Sequence, residues 1–268
     1  MTRVAVAGFG AIGRTLVSRL GRPRGVPGIE LVAVSARDRS RAGATLRELG
    51  VDVPIVTIAE LEPLADLVVE CAPASLLAEI AEPFLRAGKE VVVLSVGALL
   101  ESPELIDLAA TCGGRITVPT GALVGLDAVR AAAEGEIRSL RMTTRKPPAG
   151  LIGAPGIETS GVDLASLTEP VRVFTGTARE AARAFPANLN VAAALSLAGL
   201  GPDRTVVEIW ADPAVTRNTH TIELRSDVAD VTMTIENVPS ENPRTGRITA
   251  LSVIALLRKR ESHLRVGT

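Results

Sequence analysis

Three glycines near the start of the chain and one histidine near its end are the residues whose type and spacing point to chemistry. Gly8-Phe9-Gly10-Ala11-Ile12-Gly13 follows the short apolar run Arg3–Ala7 and leads into a helix-like segment, Arg14–Leu20. This is G-x-G-x-x-G between a strand and a helix, the context in which the pattern holds a dinucleotide. Gly8 permits the tight turn, Gly10 lets a pyrophosphate approach the backbone, and Gly13 lets the helix pack closely on the sheet. The helix start at Ala11 and Ile12 offers free N–H groups and a positive dipole end to the phosphates. The competing reading is a glycine-rich turn that binds nothing.

The chain has two histidines. His263 lies in the polar tail RKRESHLRVGT and reads as solvated. His220 ends the run Asp212-Pro-Ala-Val-Thr-Arg217-Asn218-Thr-His220, at the start of a strand. An imidazole titrates near neutrality and serves as general acid or base, with Arg217 and Asn218 beside it to orient a carboxylate. A capped or surface histidine is the alternative. Thr144-Arg145-Lys146-Pro147-Pro148 closes a strand with two cations. Asn188-Leu189-Asn190 opens a helix, where asparagine is a common cap. The polar stretch Asn237–Thr245, with Ser240, Asn242 and Arg244, precedes the last helix, and its Pro and Asn also suit a plain turn. The sequence has no Ser-His-Asp order, HExxH or P-loop. A hydride transfer, in which a cofactor carries the hard chemistry, fits these residues best.

The end of the second strand bears on the cofactor. A site that prefers NAD has Asp or Glu there to hold the ribose hydroxyls. This chain has Val34-Ser35-Ala36-Arg37-Asp38-Arg39. Glu30 lies at the wrong end of the strand and Asp38 comes late, whereas Ser35, Arg37 and Arg39 suit a 2′-phosphate. NADP is therefore expected, alongside NAD. The small-residue turns Cys71-Ala72-Pro73-Ala74 and Ser95-Val96-Gly97-Ala98 follow two further strands, where ligands of such sheets lie. Plain turn chemistry is their other reading.

The elements that must position these residues alternate through the first 118 positions. Strands are expected at 4–7, 30–35, 54–58, 66–72, 90–95 and 115–118, and helices at 11–20, 40–49, 74–87 and 103–111. Such alternation implies a doubly wound parallel sheet. The pattern then changes to helices at 124–133, 177–184 and 189–200, strands at 137–144, 205–211, 219–225 and 229–236, and a loop over 146–161. The last helix, 248–260, carries an apolar stripe of Ile248, Leu251, Ile254 and Leu257. The expected plan is α/β: a Rossmann domain over 1–120, completed by 241–268, and an α+β substrate and dimerisation domain with a mixed sheet over 121–240.

Composition excludes several classes. Hydrophobic residues make up 47% of the 268, enough for a substantial core, while aromatics are 2%, with no Tyr. That argues against base-stacking platforms for nucleic acid. A net charge of −1 offers no field for DNA or an anionic membrane. Lysine occurs only at 89, 146 and 259, so the arginine bias reads as composition. Cys71 and Cys112 are far apart and form no metal or disulfide pattern. No apolar run approaches a membrane span, and the chain enters a strand at once with no signal-like segment. A cytoplasmic protein without metal is expected.

Taken together, GFGAIG at Gly8–Gly13, SVGAL at Ser95–Leu99, TGALVGLD at Thr120–Asp127, TRKPP at Thr144–Pro148, FPANLNVAAALSLAG at Phe185–Gly199, the run ending at His220 and NVPSENPRTG at Asn237–Gly246 resemble the L-aspartate dehydrogenase family. The resemblance covers nearly the whole chain in order. It implies oxidation of L-aspartate with NAD(P) to iminoaspartate, which hydrolyses to oxaloacetate and ammonia and also feeds quinolinate and NAD synthesis. It implies His220 as the catalytic histidine, and cofactor contacts from Ala122 and from Asn188 or Asn190. The departure from the family pattern is Ser35-Ala36-Arg37 at the end of strand two. Aspartate is expected between the nicotinamide and the second domain, its carboxylates drawing on Arg145, Lys146, Arg217, Asn218 and Asn190. Alternatives are a reductase resembling dihydrodipicolinate reductase or homoserine dehydrogenase, and a non-catalytic NAD(P) sensor. A homodimer is expected from the open face of the mixed sheet.

Overall fold

The computed structural model describes residues 1–22, 25–186, 189–239 and 246–267. Contacts divide the chain into two units, Met1–Gly121 with Thr249–Val266, and a second beginning at Ala122 and running to Ile248.

The first unit is built on β1 (Thr2–Ala7), β2 (Ile29–Ser35), β3 (Ile55–Val56), β4 (Leu67–Glu70), β5 (Glu90–Val93) and β6 (Arg115–Thr117). All pairs are parallel, in the order β3-β2-β1-β4-β5-β6. Helices α1 (Ala11–Leu20), α2 (Arg39–Leu49), α3 (Leu77–Arg86), α4 (Val96–Leu100) and α5 (Pro103–Cys112) connect them. Alternate residues of each strand feed two cores. Val4 and Val6 join Leu16 and Val17 on one face, and Ala5 and Ala7 join Ile80 and Phe84 on the other. A parallel sheet covered on both faces needs the near-continuous apolar strands seen here. The fold class expected from the sequence is the one observed.

The C-terminal helix, Ile248–Glu261, packs into the first of these cores through Ala250, Val253 and Leu257. The apolar stripe expected from its sequence was offset: Ile248 and Leu251 are exposed. The helix is apolar on more than one side, so periodicity alone did not choose its buried face.

The second unit contains α6 (Leu126–Ala132), β7 (Ile137–Lys146), α7 (Pro155–Ser160), β8 (Val171–Thr177), α8 (Ala178–Ala184), α9 (Asn190–Ala198), β9 (Val206–Ala211), β10 (Asn218–Ser226) and β11 (Asp230–Asn237). The sheet order is β11-β10-β7-β9-β8, mixed because β7 and β9 run parallel while the other pairs are antiparallel. Leu140, Met142, Val207, Ile209, Ile222 and Leu224 are buried, and strand alternation puts them on one face.

Three local expectations are corrected. Residues 96–100 form α4 where a turn was expected. The 146–161 segment holds α7, and β7 runs on to Lys146, which pairs with Ala211. Strand β8 had no counterpart in the sequence reading. It is an edge strand with an irregular register between Arg172 and Phe174, which breaks the alternation that marks strands.

Candidate active site

In the first unit the chain winds outward from β1 to β3 on one side, then from β4 to β6 on the other. The switch lies between β1 and β4, where ligands of doubly wound sheets sit. A cavity of about 810 Å³ opens there, within the range of small-molecule sites. Its walls include Gly8, Gly10, Ser35, Arg37, Cys71 and Ala72. Gly8 has φ +104°, and a Cβ on it would lie 2.5 Å from the Cys71 carbonyl oxygen, so only glycine fits. A Cβ on Gly13 would lie 2.1 Å from the Gly8 carbonyl oxygen, which is how closely α1 approaches the turn. Gly10 differs. It is exposed, and an added Cβ would meet nothing within 4 Å. The open space beside Gly10, at the start of α1 with Ala11 and Ile12, fits a pyrophosphate on the backbone.

The strand-two end is basic. Arg14, Arg37 and Arg41 line the cavity with Ser35, whose carbonyl accepts the Gly8 N–H at 2.9 Å. Arg39, expected to share this role, instead donates to the Ile55 carbonyl. Asp38 caps α2, its carboxylate accepting the Arg41 N–H at 2.9 Å. Gly97 is buried inside α4. The Ala72 N–H bonds to the carboxylate of Glu70, the last residue of β4.

The second unit gathers a different kind of site. His220 pairs with Thr144 across β10 and β7, and Asn218 pairs with Asn237 across β10 and β11. Directly opposed residues share a face, as do residues two apart on a strand. His220, Thr144, Lys146, Asn218 and Asn237 therefore form a polar end to an otherwise apolar sheet face. His220 and Lys146 are each 2% exposed, Thr144 0% and Asn237 4%. The His220 Nδ1 lies 3.0 Å from Thr144 Oγ1. Burial, with the Lys146 charge adding to it, lowers the imidazole from 6.5 to about 3, so the ring is neutral at physiological pH. The Asn237 Nδ2 donates to the Ala122 carbonyl at 3.0 Å, leaving a buried Oδ1 with no partner among the described residues.

Not every expected residue joins this cluster. Arg145, one residue from both Thr144 and Lys146, faces the other side of the sheet. It donates to Asp212 at 3.0 Å and stacks on Trp210 with 4.9 Å to the ring centroid. Arg217 is exposed, just before β10. Asn190 is the first residue of α9 and is exposed; Leu189, not an asparagine, occupies the cap position. Asn188 lies outside the described residues, as do Ser240, Asn242 and Arg244.

A family model described as "Aspartate dehydrogenase, C-terminal" matches residues 127–260, and one described as "Homoserine dehydrogenase, NAD binding domain" matches residues 8–119. L-aspartate dehydrogenase 3 of Bordetella bronchiseptica is 60% identical over 265 residues, covering 99% of this chain and 97% of its own. The chain belongs to the L-aspartate dehydrogenase family. The L-aspartate dehydrogenase of Bradyrhizobium diazoefficiens is 56% identical, with 99% and 94% covered. The crystal structure of aspartate dehydrogenase from Thermotoga maritima superposes with a TM-score of 0.77 at 26% identity, over 100% of both chains. The resemblance drawn from the sequence motifs thus holds for this chain.

Within that family frame, sequence reasoning passed over Thr144, Asn237, Arg14, Arg41 and Glu70. Counting back two from Lys146 along a strand identifies Thr144. Arg14 directly follows Gly13, and Arg41 lies in the first turn of α2, four residues after Arg37. Asn237 read as a turn residue because its pairing with Asn218 exists only once β10 and β11 are in register.

Proposed function

We propose that this protein oxidises L-aspartate with NAD or NADP and water to oxaloacetate, ammonium, the reduced cofactor and a proton, and that it runs as a cytoplasmic homodimer. Besides family membership, the observation that carries this reading is the buried polar end of the second unit's sheet, where a neutral imidazole and an ammonium share one face. Aspartate brings two carboxylates that need buried cationic or N–H donors and an amine whose protons must leave.

When bound, NAD(P) accepts the hydride from Cα of the substrate. The chain's own groups do the rest. The Lys146 ammonium pairs with a substrate carboxylate, and Asn218 donates to the same group. Burial is the larger cause of the low imidazole pKa and the Lys146 charge the smaller; pairing Lys146 with a carboxylate offsets the smaller one, so His220 gains some proton affinity as substrate binds. With Nδ1–H donated to Thr144 Oγ1, the Nε2 lone pair is left to take a proton from the substrate ammonium and release it to solvent, and then to take a proton from the water that adds to iminoaspartate and return it to the nitrogen that leaves as ammonia. Iminoaspartate is also the species through which such an enzyme would supply quinolinate and NAD synthesis.

Arg14, Arg37, Arg41 and Ser35 at the strand-two end, with the Asp38 carboxylate committed to capping α2, favour acceptance of a 2′-phosphate. Arginine suits phosphate recognition by its planar fork. NADP is therefore expected to serve at least as well as NAD. The homodimer reading draws on the second face of the mixed sheet, where Thr221 and Thr234 pair hydroxyls at 3.1 Å and Trp210 is only half-buried. The unbridged Cys71 and Cys112 accord with a reducing compartment.

Reduced-nicotinamide absorbance in a matrix of L-aspartate, L-homoserine and L-malate against NAD and NADP tests the reading. Signal with L-aspartate alone is expected. Turnover of homoserine in its place, or cofactor binding with no turnover of any of the three, would reject it in favour of a related reductase or a sensor.

A further inference from the structure

We propose that Glu70 is a positioning residue for the cofactor cavity: its buried carboxylate clamps the loop after β4 to the loop after β5 and so holds the Cys71–Pro73 wall in place. The assignment rests on the cofactor reading of that cavity.

Glu70 is the last residue of β4 and is 0% exposed. The pairing of β4 with β5 ends at Glu70 and Val93. Beyond that point nothing in the sheet ladder keeps the two loops together. The Glu70 side chain continues the tie. Its Oε2 accepts the Leu94 N–H at 3.1 Å and the Ser95 N–H at 2.8 Å, and its Oε1 accepts the Ser95 hydroxyl at 3.0 Å. The Ala72 N–H also bonds to it. Ser95 is the N-cap residue of α4, yet its side chain makes no cap bond there. The hydroxyl that would cap α4 is turned to Glu70 instead. On the other side of β4, the Cys71 and Ala72 backbone lies against Gly8 so closely that a Cβ there would fall within 2.6 Å of the Ala72 nitrogen. One carboxylate thus links the start of α4, the cavity wall and, through that wall, the turn of the glycine motif.

The placement is hard to explain as packing. Burial pushes the Glu70 carboxyl up from its ordinary range, while the bonds from Ser95, Leu94 and Ala72 pull it back. An apolar side chain would avoid that desolvation but would leave the Leu94, Ser95 and Ala72 amides unmet. What the carboxylate supplies, and Leu does not, is acceptors for donors on two different loops.

The test uses the full chain, with NADPH and NADH fluorescence for dissociation constants, thermal melting for stability, and amide exchange at 72, 94 and 95. Glu70→Gln keeps a carboxamide oxygen for the Leu94 and Ser95 amides and an NH2 for the Ser95 hydroxyl, so its dissociation constant should stay within about threefold of wild type. Glu70→Leu should weaken nucleotide binding by roughly tenfold or more, the effect of stranding buried donors, and speed exchange at those amides. Melting lowered in Glu70→Leu with nucleotide affinity unchanged would overturn the proposal, since that is what a purely structural role predicts. Equal loss in Glu70→Gln would overturn it too, because charge and not geometry would then matter. If Glu70→Leu does not fold, the wild type decides: Leu94 and Ser95 amides must exchange as slowly as the β4 and β5 ladder, and exchange at loop rates would overturn the clamp. A wild type that binds neither nucleotide, with those amides protected, would instead reject the cofactor reading on which the proposal stands.

Discussion

The cofactor cavity and the polar sheet end are built on opposite principles. The first is made of backbone and of side chains that are missing: a Cβ on Gly8 or Gly13 would collide with backbone, and Gly10 faces open space. The second is made of side chains that are buried at some cost: His220, Thr144 and Lys146 sit at or below 2% exposure and, with Asn218 and Asn237, form one end of a sheet face whose other buried residues include Leu, Ile, Val and Met. Binding a phosphate by helix-start amides needs only a contiguous turn. The proton transfer proposed for His220 needs an imidazole held by a partner, and the group it contacts, Thr144, lies on another strand.

The contrast is sharpest in turnover. His220→Ala should lower kcat by roughly 10²–10⁴-fold, the usual size of an acid–base contribution, with NADPH affinity unchanged. Near-normal turnover would remove His220 from the chemistry, and lost nucleotide binding would break the separation of the two regions.

The buried imidazole also predicts a pH-dependent stability that the glycine cradle lacks. Folding holds His220 neutral, its pKa falling from 6.5 to about 3. The unfolded chain therefore binds the proton first as pH drops. The stabilisation from this group is complete above pH 6.5 and is lost progressively as pH falls toward 3. Urea midpoints should fall by the equivalent of roughly 3 kcal/mol between about pH 7 and pH 4. His220→Gln should flatten that slope, and an unaltered slope would mean that other groups carry it.

Within the cradle, two glycines should respond in opposite ways. Gly13→Ala forces a Cβ to 2.1 Å from a carbonyl oxygen and should reduce stability by about 1–3 kcal/mol. Gly10→Ala meets no protein atom, so its melting temperature should match wild type while NADPH binding weakens. Equal melting shifts in the two would contradict the geometry. Smallest of all, Arg37→Ala and Arg41→Ala should each lower the NADP-to-NAD preference by roughly tenfold, the worth of one charge-assisted phosphate contact. A ratio of kcat/KM values that does not move would place the 2′-phosphate elsewhere.

Much of this molecule was legible in its sequence, and the illegible parts share a cause. The parallel sheet showed itself because strands buried on both faces are near-continuous apolar runs, as in Leu67–Glu70 and Glu90–Val93. The glycine motif showed itself because everything it needs lies within six consecutive residues. Lys146 and Arg145 were indistinguishable as neighbouring cations until β7 was seen to run through both. Strand alternation then sends Lys146 to the His220 face and Arg145 to Trp210 and Asp212. Arg39 was expected beside a 2′-phosphate but donates to the Ile55 carbonyl, and Asp38, too late in the chain to hold a ribose, caps the start of α2.

By itself, then, the sequence determined the two kinds of architecture and set a glycine turn between a strand and a helix, because each is encoded by local periodicity or residue type; it left His220 open between a surface residue and an acid–base group. Tertiary structure alone decided the company that histidine keeps, the face on which each cation lies and the tie that Glu70 makes between two loops. Those depend on strand order and register, which bring together residues 76 positions apart at His220 and Thr144 and which no local window of the chain contains.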